Sequence, residues 1–168
     1  QQGLRQRRWR VPRLGLRQLF EADRRSQPRW PPADNHHIEF DRFAHHRRLT
    51  LTLQNGYNTM YGGGVYNHGT SPAISNCAFV SNATLLSNDI RGGAIYNDAN
   101  ASPLITDCVF SENEAYDGGA IASVSASPTI DQCTFSKNIA HASGAAIYSD
   151  SSTVSITNST FTANSAKT

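Results

Sequence analysis

The sequence predicts an all-β fold, a right-handed parallel β-helix of about four coils, and three observations carry that prediction. One short phrase recurs four times between Gly62 and Asn164. Its apolar residues alternate along short runs, and none of it has helical period. No single copy holds enough apolar surface to fold alone, so the copies must stack.

The fullest copy opens on Gly92-Gly93-Ala94-Ile95, passes through Ser102-Pro103, and closes with Ile105, Cys108, Phe110 and Asn113. The other copies place Ile74, Cys77, Phe79 and Asn82, then Ile130, Cys133, Phe135 and Asn138, then Ile156, Ser159, Phe161 and Asn164 at the same offsets. Successive phenylalanines lie 31, 25 and 26 residues apart, a solenoid period. Phe and the Cys two places before it share one strand face. The Ile stands three before the Cys, so a bend separates them if all three point inward. The glycine pair suits a tight corner, and Ser-Pro marks another, since Pro fixes its own φ and extends the residue before it. Stacked parallel strands then align like with like, giving Phe, Ile, Cys and Asn ladders.

The Gly-Gly-Ala-Ile and Phe-x-x-Asn tetrapeptides resemble the repeat of polymorphic outer-membrane proteins. The wider pattern is similar to right-handed β-helix repeats of bacterial surface and secreted proteins. The resemblance spans Gly62 to Thr168, with slips at Gly64/Val65 and at Ala145. It implies a pectate-lyase-like superhelix, a place at the cell surface, the outer membrane or outside the cell, and a passenger or adhesive role. It implies no single activity.

Charge divides the chain. Residues 1–50 hold twelve of the fifteen Lys and Arg and five acids, net +7; residues 51–168 hold three basic and eight acidic residues, net −5. Residues 1–13, with five arginines, read as a disordered basic tail. No readout motif accompanies the arginines, so a nucleic-acid partner is not expected. There is no apolar run long enough for a signal peptide or a membrane span and no initiating Met, which fits a fragment of a longer protein or a processed chain. Leu16, Leu19 and Phe20 share one helical face, while Ile38 to Asp41 and Leu49 to Leu53 alternate like strands. Residues 14–60 therefore read as an N-terminal cap of helix and short strands, or else as an unstructured stretch; residues 61–168 read as the coils. Leu16-Arg17-Gln18, Ile38-Glu39-Phe40-Asp41 and Leu49-Thr50-Leu51-Thr52 resemble the cap of bacterial β-helix proteins.

Candidate chemistry is sparse. The three cysteines recur at one repeat position and read as a core column. A metal site needs ligands converging from different directions, which a vertical ladder does not supply, and a disulfide between adjacent rungs has the Cα distance but a poor dihedral. The asparagines read as a corner ladder tolerating left-handed backbone. Lyases and hydrolases on a pectate-lyase-like fold need clustered carboxylates with a base, whereas Asp98, Asp107, Asp117, Asp131 and Asp150 look scattered. No catalytic residue, metal or cofactor is expected, and a polysaccharide lyase or glycoside hydrolase stands as the alternative. Tyr66, Tyr96 and Tyr148 share one repeat position, with Ala122 in the third copy. They read as an exposed row that stacks on sugar rings or meets a cell-surface protein.

Overall fold

A computed structural model describes residues 38–40, 48–49, 51–88 and 90–167. The basic tail over 1–13 and the helix expected over 14–23 lie outside the described residues. The rest is built from five rungs of four short strands. The first holds β1 (Ile38–Phe40), β2 (Arg48–Leu49), β3 (Thr52–Gln54) and β4 (Tyr57–Asn58). The second holds β5 (Val65–His68), β6 (Ala73–Ser75), β7 (Ala78–Val80) and β8 (Ala83–Thr84). The third holds β9 (Ile95–Asp98), β10 (Leu104–Thr106), β11 (Val109–Ser111) and β12 (Glu114–Ala115). The fourth holds β13 (Ile121–Val124), β14 (Thr129–Asp131), β15 (Thr134–Ser136) and β16 (Ile139–Ala140). The fifth holds β17 (Ile147–Asp150), β18 (Ser155–Thr157), β19 (Thr160–Thr162) and β20 (Ser165–Ala166).

Equivalent strands pair in parallel into four five-stranded sheets, here A to D in the order the chain visits them. Register follows the repeat: Ile74, Ile105, Ile130 and Ile156 align in sheet B, and Phe79, Phe110, Phe135 and Phe161 in sheet C. The segments read as strands of a cap pair the same way. Ile38 aligns with Val65, Leu49 with Ile74 and Leu53 with Phe79, so they add one strand to each sheet.

The core is a set of like-on-like columns. Phe rings recur at 4.8, 4.8 and 4.7 Å with planes 4° apart, and Ile74, Ile105, Ile130, Val65, Ile95 and Ile121 are fully buried around them. The bend expected between Ile and Cys is real. Asn76, Asp107, Gln132 and Asn158 hold it in left-handed backbone at φ of 54°, 53°, 53° and 48°. That conformation costs of order 1 kcal/mol per non-glycine residue, and a bond to the next rung offsets it. The amides of Asn76, Asp107 and Gln132 donate to Thr106, Asp131 and Thr157. At the glycine corner the constraint is steric: Gly92 has φ of 75°, and a Cβ on Gly93 would sit 2.2 Å from the Gly119 carbonyl oxygen.

The asparagine ladder differs from its expected form. The left-handed residues at that corner are Ser81, Glu112, Lys137 and Ala163, one place earlier, while Asn82, Asn113 and Asn138 are fully buried. Each amide side chain bridges three rungs. Asn113 Nδ2 donates to Phe79 O below (3.0 Å) and to Asn138 Oδ1 above (2.9 Å). Asn113 Oδ1 accepts from the backbone and side-chain nitrogens of Asn82, both at 3.0 Å. Burial makes these bonds hard to replace, since no water reaches the groups.

Asn113→Ala strips an acceptor from two Asn82 donors and a donor from Phe79 O, at about 1–3 kcal/mol per buried group. The expected loss is at least ~3 kcal/mol, comparable with about 3–5 for Phe110→Ala. Thr134→Ala, on the exposed face of β15, stays within about 0.5 kcal/mol of wild type. Urea midpoints of the three variants check the order, and a mild Asn113→Ala would remove the ladder from the account of stability.

Candidate functional site

The outer face of sheet A carries three side-chain columns. Period-two alternation turns Val65 and Asn67 inward and Tyr66 and His68 outward, and the register carries that choice to the strands stacked after β5. The first outward column is Tyr66, Tyr96, Ala122 and Tyr148, and the second begins with His68 and Asp98. A third column comes from the residue before each first corner glycine: Tyr61, Arg91, Asp117 and Ser143. Arg91 and Asp117 form a parallel bridge, and Ser143 N donates to Asp117 Oδ1 at 3.0 Å.

The predicted tyrosine row is therefore divided and only partly exposed. Tyr61, which belongs to the third column and not to the predicted row, stacks on Tyr96 at 4.5 Å with planes 15° apart, and Tyr66 lies 5.6 Å from Tyr96. Tyr96 is 5 % exposed under these neighbours, which corrects the expectation of an open ring; Tyr66 and Tyr148 are half-buried. Ala122 interrupts the column, and the Arg91 guanidinium lies 5.1 Å from the Tyr148 ring centroid, beyond that small residue. Arg91 Nε also donates to Asp117 Oδ2 at 3.2 Å, so its charge is matched on both sides.

The charged residues that look scattered in sequence are partly brought together. Asp98 Oδ1 lies 2.7 Å from His68 Nδ1, and Asp98 Oδ2 accepts from the Tyr66 hydroxyl at 3.0 Å. The other imidazole nitrogen, Nε2, is left for solvent or a ligand on a side chain that is 42 % exposed. On sheet D, Glu114 Oε1 lies 2.5 Å from His141 Nε2 and 3.9 Å from Lys167 Nζ. Asp107 and Asp131 occupy different repeat positions, as their offsets from Cys imply. Asp131 instead accepts from Thr157 and Asn158, which hold its carboxyl below the ordinary range. Both pairings were legible: His68 and Asp98 stand three after Val65 and Ile95, and Arg91 and Asp117 each precede a glycine pair.

Burial pushes the Tyr96 hydroxyl up to about 12, helped by the Asp98 charge and opposed by Arg91. Burial and then the Asp98 hydrogen bond also raise Tyr66. Arg91 is desolvated, yet Asp117 holds it more firmly protonated than usual. The cysteines are 1–2 % exposed thiols in the core, as read from the sequence. Hydrogen bonding along the column lowers Cys77 to about 7 and raises the central Cys108. Among the described residues no group of three or more His, Cys, Asp or Glu side chains converges on a metal position, and no helix is long and apolar enough to cross a membrane.

Because folded Tyr96 keeps its proton to about 12 and an ordinary tyrosine ionises near 10.0, its contribution to stability is complete below pH 10 and lost as pH rises toward 12. Urea midpoints taken from pH 8 to 12 should fall across that window, and Tyr96→Phe should flatten the fall. An unchanged slope in Tyr96→Phe would mean that this hydroxyl titrates alike in both states.

The comparisons agree with this architecture. The family model described as "Right handed beta helix region" matches residues 33–167, which takes in every rung. No curated protein and no solved structure matches the chain. A family model covering most of the sequence and five stacked rungs of parallel strands lead to one conclusion: the chain belongs to the right-handed β-helix family.

Proposed function

We propose that this chain is a non-catalytic scaffold of a bacterial surface or secreted protein, of the polymorphic outer-membrane repeat kind, whose sheet A face adheres to polysaccharide or to a cell-surface protein. The observation that carries the reading is the Tyr61, Tyr66 and Tyr96 cluster beside the His68–Asp98 pair. Aromatic faces pack against the C–H faces of sugar rings, and a carboxylate with an imidazole nitrogen suits neighbouring hydroxyls. The β-helix lends rigidity, so little order is lost when a ligand is bound. Arg91 is already matched by Asp117 and Tyr148, which favours a neutral glycan over a uronate.

A second reading rests on one observation. The Asp98–His68 pair has the geometry of an oriented general base, as a polysaccharide-degrading enzyme of the pectate-lyase-like fold would need. A panel of polysaccharides scored for retention and for new chain ends separates the two. The adhesive reading expects retention without cleavage, weakened roughly tenfold, or about 1.4 kcal/mol, by Tyr61→Ala or Tyr66→Ala. Tyr148→Ala, on the far side of Ala122, should matter less. New chain ends that vanish in His68→Ala would replace adhesion by catalysis.

A further inference from the structure

The cysteine column has a geometry that its buried position conceals. Each sulfur makes the same bond to the carbonyl two residues back: Cys77 to Ser75 O at 3.3 Å, Cys108 to Thr106 O at 3.2 Å and Cys133 to Asp131 O at 3.3 Å. One shared bond means one shared side-chain orientation, so the sulfurs recur at the rung spacing that the Phe rings show, 4.8 Å. A disulfide needs sulfurs ~2.05 Å apart on Cβ atoms about 3.8 Å apart. The flanking pairs of Ala78, Val109 and Thr134 hold the strands in parallel register against that approach. Two metal–thiolate bonds of the ~2.3 Å length that zinc shows, laid end to end, span about 4.6 Å, near the 4.8 Å spacing.

We propose that the Cys77, Cys108 and Cys133 column binds soft monovalent d10 cations of the copper(I) type, each held in a line between Cys108 and one neighbouring sulfur. Thiolate is the ligand such ions select. Two-coordinate binding does not need the convergence that a tetrahedral site demands. Each sulfur also receives a backbone N–H from the rung before it, which suits the negative charge of a bis-thiolate: Leu51 donates to Cys77 at 3.4 Å, Cys77 to Cys108 and Cys108 to Cys133. A surface groove of about 420 Å³ lies at this end of the column, lined by Leu51, Cys77, Asp107 and Val109, so a carboxylate-bearing residue stands on the outer side of the first cysteine. The step is ligand exchange without oxidation. The first ion displaces the protons of two thiols to solvent; a second, sharing Cys108, displaces one more.

The test is titration of the reduced full chain with silver(I), read by native mass spectrometry, by thiolate-to-metal absorption and by thermal melting. Wild type is expected to take up to two ions and to melt higher with them. Cys77→Ser and Cys133→Ser should each take one. Cys108→Ser keeps two thiols but sets them two rungs apart, and should bind at least a hundredfold more weakly. Serine is tolerated here: Ser159 holds the same position in the fifth rung, accepting from Cys133 N at 3.1 Å and donating to Thr157 O at 2.8 Å. The unliganded melt of Cys108→Ser confirms that it is folded; if it is not, the double variant Cys77→Ser/Cys133→Ser, with Cys108 alone, must lose binding instead. Silver held as tightly by Cys108→Ser as by Cys77→Ser overturns the proposal.

Discussion

Everything in this solenoid depends on the hydrogen bonds between one rung and the next. They set the spacing, and they hold each residue over its repeat equivalent. Once that is fixed, side chains have no choice of neighbour. Phenylalanine must stack on phenylalanine, and the buried asparagines must satisfy one another, because nothing else lies within reach. The corner residues in left-handed backbone belong to the same system, since their amides also donate to the rung above.

The rule has opposite consequences inside and outside. Inside, identical residues in a column pack with identical geometry, so a buried Cys column becomes a row of evenly spaced sulfurs. Outside, the columns vary from rung to rung, and variety produces chemistry. Tyr66, Tyr96, Ala122 and Tyr148 share one column, yet the one small residue lets a guanidinium from the neighbouring column approach Tyr148. His68 over Asp98 is a hydrogen-bonded pair, and Arg91 over Asp117 an ion pair, made by stacking rather than by proximity in the chain.

Much of this was legible from repeat arithmetic. The Ile, Cys and Phe columns and the bend between Ile and Cys follow from offsets alone. His68 over Asp98 follows from the third residue after Val65 and Ile95, and Arg91 over Asp117 from the residue before each glycine pair. The first rung was harder to read, because Ile38, Leu49 and Leu53 lack the glycine, Cys and Asn marks of the later copies, although their alternation is clear.

By itself, the sequence determined the period, the inward set and the order of every column, because a parallel stack of repeats admits one register. Only the tertiary structure decided how side chains of different columns lean on each other. Tyr96 is covered because Tyr61 lies across it, and Tyr148 meets the Arg91 guanidinium in place of a neighbouring ring. Those outcomes rest on ring tilt and on the reach of long side chains across neighbouring columns. Repeat spacing states which residue lies above which, and it contains no information about which way a side chain bends.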